Sequence, residues 1–430
     1  MRIRIFLFLL ILILNSFSGF VVEEFVPDAE RFVRIFIMMG DGVMLTLALT
    51  TFFRNRSFYG VKYFGVFLLI STITVIYNLD NLGLMAQLNG LRQPLFFFSS
   101  LVVVHDIFQS HQKEKFIQYC TLFLLVFAIA QTPTSLLQFV RHGAGDDVGG
   151  TFGWGGSGLV TQLLFLICFY FVVKFGSLDN GSSFGVTRAL VFTPLLIPCA
   201  LNSTKITFLL MPLFFVLLLF SKKKLYKTIP FLLLGLTLLY LYTEFYAETG
   251  GGENPRTIFE QSYLERYLLS NPTEPSGDLP RFQRVTIMFR LMRDDVGLLL
   301  FGMGYGLFGG GNILDAPRIM RSLHYLSGSK ILLFTVWIQG GLTAVVVFTG
   351  AMFSFMRSKP ISHHTIKRFN WFVFLSLVGM WFYNDAILDR TFAAITSFLM
   401  MWISSGGIEQ ATEDMPIEPA VELAEAVISR

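Results

Sequence analysis

The sequence predicts an all-α polytopic membrane protein of about twelve transmembrane helices with one long, partly helical periplasmic loop, and three observations carry that prediction. Only 14% of the 430 residues are charged and 53% are hydrophobic, where a soluble domain carries about 25% charged residues. Apolar runs of about 17 to 25 residues recur along the chain, each long enough as a helix to cross a hydrocarbon core of about 30 Å. The lysines and arginines between those runs are shared unequally between the two sides. The net charge of +4 is small, and no nucleic-acid partner is expected.

The runs fall at 5–22, 33–53, 61–79, 94–109, 116–135, 157–175, 187–201, 205–220, 229–246, 331–355, 369–384 and 390–404. The stretches 187–220 and 369–404 are each too long for one crossing at 1.5 Å per residue, so each is read as two short spans with a polar turn. Placing the N-terminus inside gives the cytoplasmic loops seventeen Lys and Arg, from Arg2 and Arg4 through the Lys222–Lys224 run to Lys367 and Arg368. The opposite short loops hold six: Arg31, Arg34, Arg92, Arg141, Lys205 and Arg390. Both termini are therefore expected in the cytoplasm, and residues 247–330 outside.

The first run follows Met-Arg-Ile-Arg without a clear small-x-small cleavage site after it, so it is kept as a signal anchor. Cys120, Cys168 and Cys199 all fall within runs and read as packing thiols, leaving no support for a disulfide framework or a metal. Four units result: spans one to nine in 1–246, the outer loop 247–330, spans ten to twelve in 331–405, and an acidic tail 406–430 read as mostly disordered. No internal repeat and no soluble catalytic domain is visible.

The chemistry lies in the outer segments. In RFQRVTIMFRLMR, a helix starts near Asp278 and Pro280. At about 100° per residue, Arg281 and Arg284 share a side with Val285, Met288 and Met292. Arg290 and Arg293 project the other way, as a solvated face does. Arginines on the apolar side of a first helical turn oppose the helix dipole by roughly 0.3–1 kcal/mol. An anion there would be held by guanidinium forks and by free N–H groups together, and a lipid-linked diphosphate is the candidate. The alternative is that both arginines snorkel, or pair with Glu260 and Glu265. The outer loop also prefers arginine to lysine, which suits phosphate oxygens.

The glycines of FGMGYGLFGGG lack a strand-and-helix setting for a dinucleotide site, and are expected to let the backbone turn sharply and approach a ligand or the membrane surface. GAGDDVGGTFGWGGSG is read likewise; its Asp146 and Asp147 suit a sugar hydroxyl or a metal, or simply a solvated turn. His324 precedes span ten, where a neutral imidazole would take a proton from an acceptor hydroxyl. Lys205 lies at the membrane boundary, where an ionisable residue is either functional or snorkelling. Asp385, Asp389 and Arg390 are expected to pair locally and cap the last helical hairpin.

These features together resemble the bacterial O-antigen polymerase and ligase family. The resemblance is carried by many spans, Arg281 and Arg284 in a late outer loop, Gly302–Gly304–Gly306, His324–Tyr325–Leu326 and Gly340–Gly341, with Thr204–Lys205 and GTFGWGGSG as in members that polymerise exopolysaccharides. The sequence departs from the pattern at Tyr325, where the family often has Asn, and at Ile287, where an aromatic residue is usual after the Arg.

The resemblance implies an inverting glycosyltransferase of the bacterial inner membrane, moving a glycan from undecaprenyl diphosphate onto the next lipid-linked repeat. Arg281, Arg284 and His324 are then the catalytic candidates, and Arg290, Arg141, Lys205, Asp146, Asp147 and Tyr325 the substrate-binding ones. No cofactor or metal is implied. A chain-length regulator and a flippase of the same pathway are the implied protein partners. A ligase acting on lipid A core, a transporter or flippase, and a scaffold are the alternatives. Scarce intramembrane charge, with Asp41 and Lys205 nearly alone, argues against transport.

Overall fold

The computed structural model describes residues 1–54, 59–143, 148–153, 155–175, 193–202, 204, 206–219, 237, 281–308, 326, 331–356 and 364–406. Among them the chain is helical and forms no strand. The first half holds α1 (Arg2–Glu24), α2 (Glu30–Arg54), α3 (Tyr59–Tyr77), α4 (Leu84–Phe108), α5 (Lys113–His142), α6 (Ser157–Phe175), α7 (Ile197–Leu201) and α8 (Thr207–Leu219). The second holds α9 (Arg281–Met292), α10 (Val296–Phe301), α11 (Leu332–Met356), α12 (His364–Tyr383) and α13 (Arg390–Ser404). Among the described residues, six helices are long and apolar enough to cross a membrane: α1, α2 with the single turn before it, α4, α5, α6 and Leu332–Ser354 of α11. Asp146, Asp147, Lys205, His324, Tyr325 and the acidic tail beyond Gly406 lie outside the described residues.

Burial separates the helices into an inner and an outer set. Every residue of α6 from Val160 to Val173 is buried, as is every residue of α13 from Thr391 to Ile403. Apolar character on all sides is what a helix at the centre of a bundle requires. By contrast α1 and α2 expose large apolar residues such as Phe6, Phe32 and Phe36, a surface suited to lipid. Aromatic contacts knit the interior: Phe67 stacks on Phe98 with centroids 4.3 Å apart, and Tyr170 meets Trp402 edge-on at 4.9 Å. Such pairs add about 0.5–1.5 kcal/mol each beyond buried area, which matters in lipid, where apolar burial no longer drives helices together.

Helix α4 begins at Leu84, ten residues before the expected start at 94. The polar string Gln87, Asn89, Gly90 and Arg92 looks like loop in sequence, but tertiary partners absorb it. Gln87 donates to the carbonyls of Val75 and Leu82 at 3.0 and 2.9 Å. Gly90 lies against the backbone of Gly306.

After α10 the backbone of the glycine run turns sharply at Gly302, Gly304 and Gly306, with φ of +70°, +97° and +83°. Helix α11 is broken at Gly341, whose φ is +72°, so carbonyls of its first half lose their helical donors. The run answers two of them, Met303 N–H donating to the carbonyl of Ile338 at 2.7 Å and Gly304 N–H to that of Gln339 at 3.1 Å. A Cβ on Gly306 would come 2.1 Å from the Ala86 carbonyl oxygen, and one on Gly90 would come 1.9 Å from Gly306 N. Glycine is therefore required on steric grounds on both sides of this contact. Gly306→Ala and Gly90→Ala are expected to remove most folded protein from detergent extracts. Gly83→Ala, where nothing lies within 4 Å, is expected to leave the yield unchanged; a size-exclusion profile of the three reads the difference.

A second glycine segment, Val148–Gly153, is tucked against α1 and α5. Gln138 donates to the Gly150 carbonyl at 3.1 Å and accepts from Gly150 N–H at 2.8 Å; Gln131 accepts from Thr151 N–H at 2.9 Å and donates to its hydroxyl at 2.7 Å. Non-helical backbone buried in a membrane protein needs such partners. Gly19 of α1 leaves the room, since a Cβ there would meet the Phe152 carbonyl oxygen at 2.2 Å.

Candidate functional site

Along helix α9 and just past its end, the burial of Arg284 and the exposure of Arg290 and Arg293 agree with the expected split, while the Arg281 side chain lies outside the described residues. Arg284 is 1% exposed and shares its stripe with fully buried Met288 and Met292, whereas Arg290 and Arg293 are exposed. The stripe faces a cluster that includes Ile331, Phe334 and Ile338 at the start of α11. Leu326, two positions after His324 in sequence, is buried in the same cluster. A guanidinium held at that depth does not snorkel.

Phe282, between Arg281 and Arg284, stacks on Phe382 of α12, ring centroids 6.0 Å apart and planes at 29°. Phe382 also lines an apolar cleft of about 250 Å³ between α11 and α12, walled by residues including Leu333, Met352, Phe353 and Trp381. The first turn of the arginine helix is thus beside an apolar cleft. At the same end of α11 and α12, Leu332 N–H donates to the Asn384 carbonyl at 3.2 Å and the Thr335 hydroxyl to Asp385 at 3.4 Å.

The turn after α12 leads into a charged cluster that was not anticipated. Arg390 does not pair within its own hairpin. Its Nε and Nη2 donate to the two carboxylate oxygens of Asp41 in α2 at 2.6 and 2.8 Å. Asp389 is occupied as the cap of α13, accepting from Phe392 N–H at 3.0 Å; burial pushes its carboxyl up, against the pull of that N–H and of Arg390. The expected cap is found at Asp389, whereas the expected local ion pair is replaced by one across the bundle, because the cap orients Asp389 toward the backbone while Arg390 reaches Asp41.

Arg92 of α4 completes the group, Nη1 standing 3.6 Å from Asp41. Asp41 was visible in the sequence as a charge within a membrane helix, and Arg390, at the outer edge of the last run, was a cation of the opposite sign available to pair with it.

A counterpart occupies the other end of α2 and α4, where buried Asp106 of α4 is bound by Arg54 of α2 and by Arg4 of α1. From Asp41 to Arg54, and from Arg92 to Asp106, is about 20 Å along each helix. The two helices are fastened at both ends by pairs of opposite polarity. Intramembrane charge is therefore more abundant than expected, and among the described residues Asp41 and Asp106 each face two arginines.

Arg141, a substrate-binding candidate, forms an ion pair with Glu24 at the end of α1. Among the described residues there is no group of His, Cys, Asp and Glu able to hold a metal ion, and the three cysteines are buried and form no disulfide. Fold and site together define a helical, membrane-embedded protein with buried arginines. No protein-family model matches the chain, and no curated protein matches it in sequence.

Proposed function

We propose that this chain is an integral-membrane glycosyltransferase that polymerises undecaprenyl-diphosphate-linked repeat units on the periplasmic side of the bacterial inner membrane. The observation that carries the reading is the placement of the α9 arginine turn, through Phe282 on Phe382, beside the apolar cleft between α11 and α12. A polyprenyl diphosphate has both halves of that description: a doubly charged head for arginine forks and a hydrocarbon tail for a slot. Arg281 and Arg284 stabilise the charge that develops on the diphosphate as the glycosidic bond to the donor sugar breaks. His324 accepts the proton of the attacking hydroxyl. The leaving diphosphate already activates the donor, so neither nucleotide nor metal enters the scheme. In this reading the chain spans the membrane twelve times, with both termini cytoplasmic and the face carrying Arg390 and α9 turned to the periplasm.

His324→Ala, expressed in the native host at wild-type level by immunoblot, is expected to slow chain extension about 100-fold or more. Gels of extracted glycan and lipid-linked intermediates would then show single lipid-linked repeats in place of a ladder. Long polymer that never reaches its acceptor would instead assign the chain to ligation. An unchanged ladder would remove His324 from the mechanism.

A further inference from the structure

Arg92 has a nitrogen to spare. Asn89, one turn earlier in α4, accepts from Arg92 Nε through its carbonyl at 3.3 Å and from Nη2 through its side chain at 2.6 Å. That fixes the guanidinium plane and leaves Nη1 buried with no hydrogen-bond partner, 3.6 Å from an Asp41 oxygen that Arg390 already occupies. Two guanidinium groups thus face one carboxylate, the neighbouring Asp389 being taken up as the α13 cap. A buried donor without an acceptor is costly unless a ligand supplies one.

The surroundings say what kind of ligand. The Arg92 side chain as a whole is 27% exposed while Nη1 itself is buried, so a ligand meets the open edge of the guanidinium first and reaches Nη1 by displacing what covers it. It shares its face of α4 with Met85 and Leu88, which are 68% and 45% exposed, and α2 alongside exposes Phe32, Phe36 and Met39. An anion reaching Arg92 arrives across an apolar surface, about 12 Å along α4 from its first residue. Acyl or prenyl chains suit that surface and a soluble anion does not.

We propose that Arg92, aimed by Asn89 and backed by the Arg390–Asp41 pair, binds the diphosphate of a second polyprenyl-linked substrate, the acceptor of the transfer. This rests on the proposed polymerase reading, in which two lipid-linked molecules must be held at once. Arg281 and Arg284 beside the α11–α12 cleft would hold one, and Arg92 beside α2 the other.

The test is a count of undecaprenyl diphosphate molecules retained by the full-length protein in phosphatidylcholine nanodiscs, read by native mass spectrometry. Wild type is expected to retain two and Arg92→Gln one, with an unchanged melting temperature because Arg390 keeps Asp41 paired. Arg92→Lys keeps the charge but not the fork and is expected to bind about tenfold more weakly at that site; it also serves should the glutamine variant fold poorly. Arg284→Ala should remove the other molecule. If it removes none while Arg92→Gln removes one, the donor site is wrong and the Arg92 site stands. Wild-type binding by both Arg92 variants would overturn the proposal. So would equal displacement by phosphatidylglycerol, which would make Arg92 a general contact for anionic lipid.

Discussion

Arg284→Ala is expected to abolish the polymer ladder, lowering transfer by about 100-fold or more, the loss typical of removing one preorganised donor to developing charge. Arg284 is 1% exposed on the buried stripe of α9, with Met288 and Met292 in the turns that follow. In a water-excluded place its charge acts at a far lower effective dielectric than a surface arginine does. Arg293→Ala, exposed just past the end of the same helix, serves as the control and is expected to leave the ladder intact. Because removing a buried side chain also removes packing, the comparison needs Arg284→Lys, which retains the stem and the charge but not the planar fork. Recovery of folded protein without recovery of transfer would locate the effect in phosphate recognition. A wild-type ladder from Arg284→Ala would sink the catalytic assignment.

Arg390→Ala is expected to be the most destabilising single substitution in the described part of the bundle. It strands the Asp41 carboxylate, which is 7% exposed, and breaking a buried pair from one side costs about 3–5 kcal/mol. Arg92, 3.6 Å away, can take up part of the vacated carboxylate, so the lower end of that range is expected. The double variant Asp41→Asn with Arg390→Ala removes the charge along with its partner and is expected to recover most of the loss, as coupled neighbours in a double-mutant cycle do. Thermal unfolding of the detergent-solubilised proteins measures both. Equal melting temperatures for the single and double variants would mean that Asp41 gains nothing from Arg390.

Some elements were legible in the sequence almost to the residue. The runs 157–175 and 390–404 coincide with α6 and α13, because unbroken apolar composition bounded by Gly, Ser and Asp marks a helix in any context. The split of Arg281 and Arg284 from Arg290 and Arg293 followed from angular position alone, and the burial of Arg284 against the exposure of Arg290 agrees with it. The first turns of α4 were missed for the opposite reason. Gln87, Asn89 and Arg92 suit a loop until Val75, Leu82 and Asp41 are brought beside them.

Hydropathy and periodicity are properties of neighbouring residues, so the chain reveals where it is apolar, which side of a helix faces inward and which residues carry charge. Whether a charge is spent inside the protein or left for a ligand depends on a partner that may be anywhere in the chain. Asp41 and Arg390 are 349 residues apart, and the N–H groups of Met303 and Gly304 answer carbonyls freed by a break at Gly341. Only the packed structure decides such matters, because a hydrogen bond exists by virtue of distance and angle in space, and neither is written in the order of the residues.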